Sequence, residues 1–156
     1  MEHQLLSSRL PALASAETRT VRVAQGDGAA VPAGDYDVLE SYCALPNCDC
    51  HRVTLSVVSA HDRQPQATVS FGWETLMFYA EWLRSTNPDT LRLIKGPTLT
   101  TDGPQSPQAA GYLQLVSETV LSDPAYVAQL ERHYRAFKAD VRKSAASGKK
   151  AAKKRK

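Results

Sequence analysis

The chain has 156 residues, enough for one domain with a core, and its 42% hydrophobic and 22% charged residues are ordinary for a soluble globular protein. The formal net charge is +3, but residues 142–156 hold eight Lys or Arg and no acid, which leaves a net charge of −5 on the rest. No apolar run approaches the about 20 residues of a transmembrane helix, so no membrane partner is expected. Glu2 and Pro11 interrupt what would be a secretory signal, and the cytoplasm is the predicted compartment.

The first 34 residues are predicted to be a mostly flexible N-terminal segment. They mix short apolar pieces with AQGDGAAVPAGD, whose Gly and Pro residues are typical of loops. Within them, only TRTVRV has the pattern of a short strand.

The middle of the chain has the alternation of β-strands. Residues 35–43, 51–60 and 66–73 form three candidate strands, and in HRVTLSVVSA the apolar and polar residues alternate regularly. Because the connections between the candidate strands are short, an antiparallel meander is the simplest arrangement.

Three later segments have helical periodicity. They are ETLMFYAEWLRST, AAGYLQLVSETVLS and the stretch from Ala125 to about Lys143. In the first, the apolar stripe consists of Leu76, Tyr79, Ala80 and Leu83. Strands followed by helices predict an α+β domain over residues 35–141, in which a small antiparallel β-meander precedes about three helices packed on one sheet face.

Residues 142–156 are predicted to form a disordered basic tail. The sequence SAASGKKAAKKRK contains no bulky apolar residue, so its burial cannot offset the entropy lost on ordering. Such a tail attracts polyanions through counterion release from phosphates. The predicted partner is therefore a protein or a nucleic acid that contacts the tail.

All three cysteines lie within eight consecutive residues, at Cys43, Cys48 and Cys50. An odd number of cysteines without a predicted export signal argues against a disulfide framework. Cys48 and Cys50 point to the same side of an extended segment, and the turn residues Leu45, Pro46 and Asn47 can fold Cys43 back toward them. Three converging thiols suit zinc, at about 2.3 Å from each sulfur. We predict a zinc site, with inert reduced thiols and redox-active thiols as the alternatives.

A structural zinc site takes a fourth ligand, and histidines supply the candidates. His133 is the first choice, because it borders the buried stripe of the last predicted helix and would fasten that helix to the cysteine segment. His51 is the second, since a bend at Cys50 would rotate its ring toward the thiols. Water is the third.

The string LESYCALPNCDCHRVTLSV, with ATVSFGWE after it and LERHYRAFK near the end, resembles an uncharacterised family of bacterial proteins. That family combines a Y-C-x-x-P-x-C-D-C segment with a late H-Y-x-x-F/K helix, and some members carry a SEC-C zinc motif. The resemblance spans residues 35–138 and implies Cys43, Cys48, Cys50 and His133 as metal ligands. SGKKAAKK, at residues 147–154, is similar to the lysine core of SEC-C but lacks its cysteines. The resemblance implies no particular activity.

Two functions are compatible with the cysteine segment. In the first, a structural zinc stabilises a domain that acts as a protein or nucleic-acid interaction module. In the second, three cysteines and a water hold a zinc with an open position, and the chain is a metal-dependent enzyme. The motifs of nucleobase deaminases, zinc proteases, nucleotide-binding folds and serine hydrolases do not occur. We therefore favour the interaction module and assign no catalytic residue.

Overall fold

The computed structural model describes residues 2–25 and 30–154. In this part of the chain, one six-stranded antiparallel sheet is accompanied by six helices, which confirms the predicted α+β class. The strands are β1 (His3–Leu5), β2 (Arg19–Val23), β3 (Gly34–Cys43), β4 (Arg52–Ser59), β5 (Pro65–Gly72) and β6 (Thr98–Leu99). The helices are α1 (Leu6–Arg9), α2 (Pro11–Glu17), α3 (Leu76–Leu83), α4 (Pro88–Lys95), α5 (Ala109–Thr119) and α6 (Pro124–Lys154).

The centre of the sheet is the predicted meander. β3 pairs with β4 and β4 with β5, both antiparallel, and β6 extends the sheet beyond β5. In β4, the buried residues Val53, Leu55 and Val57 alternate with half-exposed polar residues. The sheet therefore has an apolar face that forms the core and a polar face opposite it.

The N-terminal segment differs from the flexible stretch that the sequence predicts. β1 and β2 both pair with β3, β1 opposite Cys43 at one end and β2 opposite Gly34 at the other, and α1 and α2 connect them. Leu6 and Ala14 of these helices are buried. β2 is the short strand predicted at TRTVRV. The other elements are too short to show a period in the sequence, and β1 is ordered by pairing with a long neighbouring strand. Of this segment, Met1 and residues 26–29 lie outside the described residues.

Helices α5 and α6 cover the apolar face of the sheet. The ring of Tyr112 in α5 lies 5.1 Å from that of Tyr36 in β3. The ring of Phe137 in α6 lies 5.5 Å from that of Tyr42. The buried face of α6 consists of Tyr126, Leu130, His133, Tyr134, Phe137, Lys138 and Val141. These buried positions recur at intervals of three and four residues, which is typical of an amphipathic helix.

Helix α4, which was not predicted from the sequence, contacts the polar face of the sheet. The Ile94 carbonyl of α4 accepts a hydrogen bond of 2.9 Å from Nε of Arg52, which belongs to the polar face of the sheet. In α3, Tyr79 is the buried residue, whereas Leu76 is 44% and Met77 is 72% exposed. Of the predicted apolar stripe of α3, Tyr79 is buried, Ala80 and Leu83 are half-buried, and Leu76 is exposed, so the stripe marks the inner face except at its first residue.

Helix α6 also extends into the predicted disordered tail, as far as Lys154. Alanine and lysine have high helix propensity, and a helix already held by its packed turns propagates at little cost. Arg155 and Lys156 lie outside the described residues. Across the described ranges, no helix combines the length and the apolar character needed to cross a membrane.

Candidate metal centre

The structure brings the three cysteines together, as the sequence predicts. Cys43 is the last residue of β3, and Cys48 and Cys50 lie in the connection from β3 to β4. Each Sγ atom lies within 4.8 Å of the other two. Cys43 and Cys50 are fully buried and Cys48 is half-buried, and all three are free thiols.

A tight turn between Cys43 and Cys48 produces this convergence. The N–H of Cys48 donates to the carbonyl of Leu45 over 3.2 Å, which closes the turn predicted from Leu45, Pro46 and Asn47. The N–H of Ala44 donates to the Glu2 carbonyl over 2.8 Å and continues the pairing of β1 with β3. The thiols are thus placed by main-chain contacts on both sides of the turn.

Two side chains of helix α6 donate hydrogen bonds to the main chain of the same turn. Nζ of Lys138 donates to the Leu45 carbonyl over 2.7 Å, and Nε of Arg142 donates to the Pro46 carbonyl over 3.1 Å. Lys138 is only 1% exposed. Sequence reasoning missed this lysine, although its position four residues after Tyr134 on the buried stripe was a usable signal.

The protonation of the thiols follows from their surroundings. Burial raises the pKa of Cys43, and burial raises the pKa of Cys50 to about 12. Main-chain N–H donors, from Leu45 to Cys43 and from Arg52 to Cys50, act in the opposite direction and lower each pKa. These two thiols are therefore protonated at neutral pH unless a metal ion displaces the protons. A redox-active cysteine needs a lowered pKa, so these two buried thiols do not fit that alternative.

The dimensions and the charge of the cluster fit zinc. Three sulfurs bound tetrahedrally at about 2.3 Å lie roughly 3.8 Å from one another, within the observed limit of 4.8 Å. Three thiolates and one Zn²⁺ carry a net charge of −1. The positive charge of Lys138 favours the ionised form of Cys43. It can therefore offset the net negative charge of a cluster with bound zinc.

His133 does not join the cluster, and the prediction that it is the fourth ligand is not supported by its contacts. Nδ1 lies 2.7 Å from Oε2 of Glu40, and Nε2 contacts Oε2 of Glu17. Both ring nitrogens are therefore occupied by carboxylates. The helical pattern places the ring on the buried face correctly, but Glu17 belongs to the N-terminal segment that the sequence presents as flexible.

His51 also lies outside the cluster. Its Nδ1 is 3.0 Å from Oε1 of Glu74, and its ring stacks on Phe78 with centroids 4.8 Å apart. Its φ of 49° turns the chain into the left-handed region directly after Cys50. Over residues 2–25 and 30–154, the group of possible ligand atoms is limited to the three cysteines.

No protein-family model matches the chain, and comparisons with curated proteins and with solved structures find no match. The assignment of a metal centre therefore depends on the geometry of the chain's own residues.

Proposed function

We propose that the chain is a zinc-binding interaction module, in which Cys43, Cys48 and Cys50 hold the ion and the basic end of α6 contacts a polyanionic partner. The observation that carries the proposal is the convergence of the three Sγ atoms within 4.8 Å. The thiols are soft ligands, their spacing suits zinc, and a buried cation lies beside them.

The expected role of the zinc is structural. The ion would join the end of β3 to the residues just before β4, in the turn that Lys138 and Arg142 hold from α6. Metal that binds the folded chain better than the unfolded chain adds its binding free energy to folding. The zinc would thus order a loop whose surroundings are already in place.

The partner would meet the basic end of α6. Beyond Val141, the described side chains up to Lys149 are exposed or half-exposed. Residues 142–154 contain no acidic residue. Exposed basic side chains such as Arg142, Lys143 and Lys149 bind phosphates without reading sequence, so a nucleic acid or a phosphorylated protein would be held mainly by charge.

The contacts of the two histidines favour one further candidate. Because neither histidine joins the group of possible ligand atoms among the described residues, a fourth ligand would be water or an added molecule. That coordination is typical of a catalytic zinc and supports a metal-dependent enzyme as the alternative.

The test is the metal content of protein purified without added metal. The proposal expects about one zinc per chain, lost in Cys43→Ser and Cys50→Ser and kept in Asn47→Ser, which alters the same turn but leaves every thiol. A zinc content near zero in the folded wild-type protein would overturn the proposal.

Cobalt substitution separates the structural centre from the open one. Azide or a small thiol should leave the visible spectrum of the cobalt protein unchanged if the fourth position is closed by the protein. A spectrum that shifts with added ligand would contradict a closed structural site and favour the enzyme.

A further inference from the structure

The polar face of the sheet carries a cleft distinct from the cysteine cluster. The cleft has a volume of about 390 Å³ and lies between β4, β5, β6 and the loop that follows β6. Half of its twelve lining residues carry hydroxyl groups, and the others include His3, Asp102, Leu93 and Leu99. The hydroxyl residues are Thr54, Thr68, Ser70, Thr98, Thr100 and Thr101.

The wall formed by the loop after β6 is fixed before any ligand binds. The side-chain amide of Gln105 pairs with both main-chain groups of Thr68, at 3.1 Å to its nitrogen and 2.8 Å to its oxygen. The Thr68 hydroxyl donates to the Pro104 carbonyl over 3.1 Å. A Cβ at Gly103 would clash with the Thr68 side chain, so this position requires glycine for the loop to approach the sheet. The cleft is therefore preformed.

Arg52 provides a positive charge in the lining of the cleft. Its Nε donates to the Ile94 carbonyl over 2.9 Å, and one terminal nitrogen contacts Oγ of Ser70. These contacts hold the guanidinium plane in place. Across the described ranges, Arg52 forms no ion pair with a carboxylate, and its other terminal nitrogen, Nη1, has no hydrogen-bond acceptor in the protein. A half-buried guanidinium with a free donor is suited to bind an anion.

From this arrangement we infer that the cleft binds a small phosphorylated polyol, with its phosphate on Arg52. A phosphate has three terminal oxygens, which match the guanidinium and the surrounding hydroxyls better than the two oxygens of a carboxylate do. The volume exceeds what a phosphate alone requires and is in the range of small-ligand pockets, about 300 to 1,000 Å³.

The remaining lining indicates the organic part of the ligand. Apart from the imidazole of His3, no aromatic ring lines the cleft, so a nucleobase would find no stacking partner. The hydroxyls of Thr68, Thr98 and Thr101 already donate within the protein, so these oxygens and the carboxylate of Asp102 are acceptors for the hydroxyl groups of a sugar. A pentose or hexose phosphate is therefore the class of ligand that fits.

Titration calorimetry of the full chain with ribose 5-phosphate, at about 0.15 M salt to limit binding by the tail, tests the inference. Arg52→Gln should weaken binding by about tenfold or more, since a charge-assisted hydrogen bond is lost. Lys149→Gln, which removes one exposed positive charge elsewhere, should change binding by less than about twofold. Inorganic phosphate should bind more weakly than the sugar phosphate, and ribose alone should not bind.

A second variant protects the test against a folding defect in Arg52→Gln. Thr54→Phe keeps the arginine but fills the cleft from β4, and phenylalanine suits a strand, so the protein should fold and lose binding. Ribose 5-phosphate binding that survives in folded Thr54→Phe would overturn the inference. Equal weakening by Arg52→Gln and Lys149→Gln would do the same, because net charge alone would then explain the binding. Equal affinities for phosphate and ribose 5-phosphate would show that the sugar contributes nothing to binding, and would contradict the inferred polyol.

Discussion

Nδ1 of His133 lies 2.7 Å from Oε2 of Glu40, and this contact joins α6 to β3 across 93 positions of the chain. Nε2 of the same ring contacts Glu17, so α2 is connected to the other two elements through one buried imidazole. The hydroxyl of Tyr42 lies 2.8 Å from the same Glu40 oxygen. Three elements distant in sequence thus meet at an imidazole that is 0% exposed.

The pH dependence of stability should reflect this group. Burial by itself lowers the pKa of His133, but the hydrogen bonds that its ring donates to Glu40 and Glu17 outweigh it and raise the pKa above 6.5. Its stabilisation is therefore complete below pH 6.5 and is lost as the pH rises through the folded pKa. Hydrogen bonds from Arg132 and then His133 lower the pKa of Glu17 from 4.5 to about 2, so its contribution is present above pH 4.5 and lost in acid.

The unfolding temperature should therefore be highest between pH 4.5 and 6.5. His133→Gln should remove the decline above pH 6.5 and cost about 3 to 5 kcal/mol at the optimum, as the loss of one partner of a buried pair does. His61→Gln, at an exposed turn, is the matched control. Parallel declines of wild-type protein and His133→Gln above pH 6.5 would refute this account.

Substitution of the histidines should leave the metal in place. His133→Gln and His51→Gln are both expected to retain zinc during chelator competition, measured at a pH where circular dichroism shows each variant to be folded. The reason is that both rings are bound to carboxylates and not to the thiols. Loss of zinc from folded His133→Gln would restore this residue as the fourth ligand.

Lys138→Met should weaken zinc binding although it touches no ligand atom. The substitution removes the hydrogen bond to the Leu45 carbonyl and the charge beside the thiolates, and keeps the volume of the buried stem. Outer-shell changes of this kind cost about 10- to 100-fold in metal affinity. Arg142→Gln, which removes an exposed contact to the next carbonyl, should cost much less. Equal zinc affinities in the two variants, measured against a chromophoric chelator, would show that Lys138 has no such role.

Removal of residues 145–156 should reduce binding to polyanions without changing the stability of the fold. The truncation leaves 13 Lys and Arg against 16 Asp and Glu, a net charge of −3, and keeps the contact of Ser144 with Arg9. Thermal unfolding should change by less than about 0.5 kcal/mol, as it does for exposed positions. Salt-sensitive retention on heparin should largely disappear. Undiminished retention would place the polyanion-binding surface on the folded body.

The sequence predicted the parts of this molecule that depend on local spacing. The alternation in β4 and the stripe of α6 are regular enough to identify their buried faces, and the cysteines are close enough that one turn brings them together. The environment of His133 could not be predicted in this way. Its two partners lie 93 and 116 positions away, and no local period relates them to the ring.

The N-terminal segment was missed for a related reason. β1 has three residues and α1 has four, lengths at which neither alternation nor helical period can be recognised. β1 and β2 are both ordered by pairing with β3, β1 with residues 41–43 and β2 with residues 34–38. The secondary structure of this segment therefore depends on its pairing with β3, and the local sequence alone does not reveal it.

The hydrogen bonds from α6 to the turn between Cys43 and Cys48 also have a consequence for biosynthesis. Leu45 and Lys138 are 93 positions apart, so a ribosome that adds about 5 to 20 residues per second needs about 5 to 19 s to proceed from one to the other. By the end of that interval all three cysteines have been synthesised. Lys138, which donates a hydrogen bond to the Leu45 carbonyl in their turn, has only then been added. We therefore expect the thiols to be more accessible to oxidants in the nascent chain than in the folded protein, where Cys43 and Cys50 are buried. Protein made in zinc-depleted cells and loaded after purification should show whether the finished fold still admits the ion.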